Sequence, residues 1–103
     1  MTLEEIREFV VSIDPNAQRY ESSSREGDYT VWGEYSLLPI TANGRHVGGW
    51  RFQVDRFTRN EDDELTAAFL AALDASPRIS FHYEVSYERD TRYIHHIFDC
   101  EAV

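Results

Sequence analysis

From Ile79 to Cys100 the chain alternates apolar and polar residues with almost no break. Ile79, Phe81, Tyr83, Val85 and Tyr87 alternate with Ser80, His82, Glu84, Ser86 and Glu88. After a polar turn, Arg89-Asp90-Thr91, the residues Ile94, His96, Phe98 and Cys100 alternate with Tyr93, His95, Ile97 and Asp99. Successive side chains on a strand point to opposite faces, so a period of two marks a half-buried sheet. A helix cannot use this pattern, because it would scatter the apolar residues around the cylinder. The segment therefore predicts two strands joined by a turn, with one face toward a core.

The remaining elements follow by the same reading. Thr2-Leu3-Glu4-Glu5 has the form of a capping box, and Leu3, Ile6, Phe9, Val10 and Ile13 then recur at helical spacing. Asp14-Pro15-Asn16 ends that helix. The polar stretch Arg19 to Asp28 suits a short edge strand and a mobile loop. Tyr29 to Ser36 is rich in strand formers, and Leu37 to Gly44, with Pro39 and Asn43-Gly44, is a connection. His46 to Thr58 reads as a middle strand with Trp50, Phe52 and Val54 on one face and Arg51, Gln53 and Asp55 on the other. Gly48-Gly49 marks a bulge or a close backbone approach. A second helix is expected from a cap at Asn60, with Glu61 to Glu64 at its positive end and Leu65, Ala68, Phe69, Ala72 and Leu73 as its buried stripe. The sum is an α+β fold in the order α-β-β-β-α-β-β. It consists of a mainly antiparallel sheet of four to five strands with two helices on one face.

Length and charge narrow the function classes. A chain of 103 residues is expected to form one domain over residues 1–103, with a usable core but no deep pocket of its own. No apolar run approaches the roughly 18 residues of a membrane span. The acidic start (Glu4, Glu5) is unlike a secretory signal and leads to an expected cytoplasmic setting. A net charge of −9 opposes an electrostatic grip on nucleic acid. All ten basic residues are arginines, which pair bidentately with carboxylates of neighbouring side chains or subunits. The lone cysteine, Cys100, excludes an internal disulfide.

Candidate chemistry concentrates in His95-His96-x-x-Asp99-Cys100. On a strand His95 and His96 face opposite ways. Residues four apart lie about 13 Å from one another, too far for a single ion held at roughly 2 Å from each ligand. A metal site would need His46 or His82 from a neighbouring strand. The simpler expectation is that His96 and Cys100 face the core and His95 is exposed. A cysteine–histidine nucleophile lacks an oxyanion hole, and Gly48-Gly49 lacks the spacing of a phosphate loop. No catalytic residue, metal or cofactor is therefore expected. The aromatic residues Trp32, Tyr35, Tyr20 and Tyr93 exceed what one small sheet needs to bury. With Arg51 they are the candidate interface residues, since Tyr, Trp and Arg are common interface anchors.

Three stretches, YTVWGEY (29–35), GWRFQVDRFTRNEDD (49–63) and YEVSYERDTRYIHHIFDCE (83–101), together resemble a family of small tail or minor structural proteins of long-tailed phages and prophages. The element order is also similar to that of tail terminator, or tail-completion, proteins, whose helix-backed sheets form a ring on the tail tube. The resemblance implies a non-catalytic virion component assembled in the bacterial cytoplasm. It would contact tail-tube and head–tail connector proteins, form a homo-oligomeric ring when assembled, and be a monomer when free. It transfers no individual functional residue. Two other readings compete: an acidic regulatory protein that mimics DNA, and a small metal-dependent enzyme using His95 to Cys100.

Overall fold

The computed structural model describes residues 1–39, 41–46 and 48–103. Its elements run α1 (Leu3–Ile13), β1 (Gln18–Arg19), β2 (Tyr29–Leu37), β3 (Thr41–Ala42), β4 (Arg45–His46), β5 (Trp50–Thr58), α2 (Glu64–Ala75), β6 (Ile79–Glu88) and β7 (Tyr93–Ala102). The main sheet has the order β1-β2-β5-β7-β6, and β3 and β4 form a small separate ladder. All pairings in the main sheet are antiparallel except β1 with β2, which is parallel. The expected α+β architecture is what the chain adopts.

Local chemistry sets the element ends. Thr2 caps α1 reciprocally: its hydroxyl accepts the Glu5 N–H at 3.1 Å, and its own N–H donates to the Glu5 carboxylate at 3.0 Å. The second helix starts later than Asn60. Asn60 instead accepts the Asp62 N–H at 3.0 Å in a local turn, and Asp63 is the cap, accepting the Thr66 N–H at 2.9 Å. Glu61 and Asp62 thus precede the helix, and Glu64 is the acid in its first turn. The buried stripe of α2 also differs from the expected one: Thr66, Phe69 and Leu73 are buried, whereas Ala68 is exposed.

The expected strand from His46 begins only at Trp50, because Arg45–His46 pairs with Thr41–Ala42 instead. Gly48 and Gly49 lie between the two ladders with φ of 99° and 105°, a region side chains avoid, which explains the glycine pair. In β2 the register shifts between Glu34 and Ser36, leaving Tyr35 as the extra residue of a bulge.

Both helices pack on one face of the sheet. Ile6 and Val10 of α1 and Phe69 and Leu73 of α2 join Trp32, Phe52, Val54, Phe98 and Cys100 in one core. The predicted alternation of β5 and β7 holds: Phe52, Val54, Phe98 and Cys100 are fully buried, with Arg51, Gln53, Asp99 and Glu101 on the opposite, open face. Strand β7 pairs on both sides, with β5 and with β6. Strand β6 forms one edge of the sheet and the short β1 the other, and the molecule is elongated, 49 × 26 × 23 Å.

Candidate functional site

The five candidate interface residues separate into two groups. Trp32 is 2% exposed and sits in the core beneath α1, so it is not a surface anchor. Tyr93, 4% exposed, is likewise internal. Its hydroxyl donates toward the carbonyls of Arg25 (2.8 Å) and Gly27 (2.5 Å), and the Arg59 guanidinium lies 3.9 Å from its ring centroid. Tyr93 thereby ties the polar 20–28 segment to the end of the β6–β7 hairpin. The physical reason for both corrections is cover: an aromatic ring on a strand is buried wherever another segment lies over it, and here α1 and residues 25–27 do so.

Tyr20, Tyr35 and Arg51 remain at the surface. Tyr20 has φ of 71° and is 63% exposed, and its ring lies close against Gly33 of β2. A Cβ added at Gly33 would meet Tyr20 Cδ1 at 2.9 Å, so glycine makes the contact possible. The Tyr20 hydroxyl donates to Glu34 Oε1 at 2.7 Å, and Arg19 donates to both oxygens of the same carboxylate. Burial alone would raise the Glu34 pKa, but the hydrogen bonds from Arg19 and Tyr20 outweigh it and hold the carboxyl below its usual range.

Tyr35, on the bulge, donates to Asp99 Oδ1 at 2.5 Å, and Arg51 Nε donates to Glu101 at 3.1 Å. Burial and the Asp99 carboxylate push the Tyr35 phenol up to about 12. These four side chains, with Ser80, Phe81 and His82, line a shallow cleft of about 270 Å³ on the open face.

The C-terminal polar residues form two separate pairs of contacts. His95 Nε2 meets Asp55 Oδ1 at 2.7 Å, and the ring stacks on Phe57 with centroids 4.1 Å apart, so His95 is half-buried rather than exposed. His96 and Cys100 are on the core side, as the alternation predicts. His96 Nδ1 meets the Tyr83 hydroxyl at 2.7 Å, while Nε2 is the one buried side-chain polar atom among the described residues with no partner. Burial lowers the His96 pKa, and the nearby Asp63 carboxylate does not offset it. The Cys100 thiol is pushed up by burial, and it is inert in that state. Among the described residues, no group of three or more His, Cys, Asp or Glu lies where it could hold a metal ion. His82 points outward and meets Glu84 at 2.9 Å, and the side chain of His46 lies outside the described residues.

A polar cluster that the sequence reading passed over lies inside the fold. Arg56, 6% exposed, donates from Nε and the terminal nitrogen Nη2 to the two Asp63 oxygens at 3.0 and 3.1 Å. Its other terminal nitrogen, Nη1, donates to Thr30 at 3.3 Å and lies 3.9 Å from buried Asp14, while Asp28 sits 3.7 Å from Nη2. Burial would raise the Asp63 pKa, but Arg56 and Thr66 together hold it low. The available signal was the alternation itself: extending Phe52 and Val54 by one period puts Arg56 on the core face.

On the helix side, the apolar row of β6 outruns its cover. Phe81 and Tyr83 pack against the core, but Val85 and Tyr87 are 54% and 59% exposed. The described residues thus present an open sheet face, a strand edge at β6 and an uncovered apolar row. No helix of the described residues is long and apolar enough to cross a membrane. In comparisons with known proteins, no family model matches the chain and no curated protein matches it.

Proposed function

We propose that this protein is a structural component of a phage or prophage tail, acting at the head–tail junction as a tail-completion protein through self-association and contacts with tail-tube and connector proteins. The observation that carries the reading is the architecture itself. A mostly antiparallel sheet backed by two helices on one side leaves its other face and its outer edge free for subunit contacts. Tyr20, Tyr35 and Arg51 are the anchors proposed for those contacts, because each presents a large contact area from a position fixed by its own hydrogen bond. The net charge of −9 suits a lumen through which DNA must pass without sticking, since phosphate repels carboxylate.

The DNA-mimic reading is weaker on physical grounds. A mimic needs free carboxylates arrayed like phosphates. Here Glu34, Asp55, Asp99 and Glu101 are already engaged by Arg19, His95, Tyr35 and Arg51.

The test is to mix the purified protein with tail tubes that lack their terminal ring and to image them by electron microscopy. Added density at one end of each tube is expected. Bare tube ends under conditions where connector proteins do bind overturn the proposal.

A further inference from the structure

We propose that β6 pairs antiparallel with β6 of a second copy about a two-fold axis at Tyr83, so that the free protein is a dimer with one continuous sheet. Strand β6 is a ten-residue edge that pairs with β7 without a register shift. It carries no proline, lysine or bulge, the devices by which edges are normally blunted. Its uncovered row ends in Val85 and Tyr87, both more than half exposed. Beside that row lies a shallow groove of about 470 Å³ lined by Ala67, Leu70, Ala71, Asp74 and Phe81. The small alanines let a neighbour approach closely.

The occupant is identified by the strand's own pattern, which reads the same from both ends. Around Tyr83, His82 mirrors Glu84, Phe81 mirrors Val85, Ser80 mirrors Ser86 and Ile79 mirrors Tyr87. Antiparallel strands place same-face residues opposite one another. Centring the axis on Tyr83 therefore sets His82 against Glu84 of the second copy twice, polar against polar and apolar against apolar. Within one copy the two side chains meet at 2.9 Å on the open face, and both are mostly exposed, so each can exchange that partner for the one across the axis. Centring on His82 or on Glu84 instead opposes like groups, and centring on Val85 leaves Ile79 and Phe81 without a partner residue in the strand. A two-fold pair satisfies the β6 edges of both copies at once, and it is closed with respect to those edges.

This contact stands on the strand edge and not on the tail-completion reading. A two-fold pair differs from the head-to-tail contact of a ring, so it describes the protein off the tail.

Sedimentation velocity of the full chain over a wide concentration range is the test, with far-UV circular dichroism confirming that each variant folds. The wild type is expected to be a dimer. Val85→Lys adds a charge to the uncovered row, and His82→Glu sets like charges against Glu84 twice, so each should weaken the dimer by about tenfold or more. The double swap H82E/E84H restores the histidine–glutamate pair across the axis and should restore the dimer. A wild type that stays monomeric overturns the proposal, as does a dimer that both single variants leave intact. Failure of the double swap to recover the dimer overturns the register. A monomer that still caps tail tubes defeats this inference alone, whereas a dimer that never binds them defeats the tail reading alone.

Discussion

Replacing Arg56 by methionine should be among the most damaging single changes in the molecule. Methionine keeps most of the aliphatic volume but removes two hydrogen bonds to Asp63 and one to Thr30, and with them the charge facing Asp14. The side chains of Asp63 and Asp14 are themselves buried, so their charges lose the cation that faces them among the described residues. Removing one partner of a buried ion pair costs about 3–5 kcal/mol. That is a large share of the roughly 5–15 kcal/mol that holds a small domain folded. Urea unfolding followed by circular dichroism should show a midpoint lowered by about 2 M, given slopes near 1–3 kcal/mol/M.

The pH dependence gives the reasoning a sign. In the wild type the Asp63 pKa is held below its usual value, so its stabilisation is present above the unfolded carboxylate pKa and is lost as pH falls through the folded one. In the variant, burial raises the Asp63 pKa with only Thr66 to oppose it. The variant should then lose less than the wild type on acidification, and the gap between them should narrow toward pH 4. A loss below about 1 kcal/mol, or a gap that widens in acid, would refute the account of Arg56 as the compensating charge.

Other perturbations test the core and the surface. Phe98→Ala, at a fully buried position stacked with Tyr83, should cost about 3–5 kcal/mol in the same unfolding assay. Cys100 is fully buried with its thiol pushed up, so a thiol reagent should label it only at the rate of unfolding and rapidly in denaturant. Spectrophotometric titration should contain a phenol component near pH 12 from Tyr35, and Tyr35→Phe should remove that component without unfolding the protein.

Local periodicity made much of this fold readable. The period of two in β5, β6 and β7 assigned Phe52, Val54, Phe98 and Cys100 to the core, and the Thr2 capping box located α1. The same alternation removed His95 to Cys100 from consideration as a single site, and the geometry agrees, since the two histidines engage partners on opposite faces. What stayed hidden was set by partners distant in the chain. Asp63 outcompeted Asn60 as the cap of α2 while also receiving Arg56, seven residues before it and itself buried by the fold. Trp32 and Tyr93 look like surplus aromatics until α1 and the 25–27 segment are laid over them. The parallel register of β1 depends on where residues 20–28 cross, which no local pattern encodes.

The double pairing of β7 bears on how the chain reaches this structure. Its partnership with β6 is a local hairpin closed by four residues, but its partnership with β5 must bridge all of α2 and β6. Local contacts form on microsecond timescales, whereas such distant pairing waits on loop closure and slows folding. Topology therefore predicts the hairpin as the early nucleus and its docking onto β5 as the slow step, which φ-values near zero for β6–β7 contacts in a folding study would refute. A slip of one residue at that step would turn Phe98 and Cys100 outward and bring Asp99 and Glu101 into the core. The buried pair Phe98 and Cys100 thus serves register as much as stability.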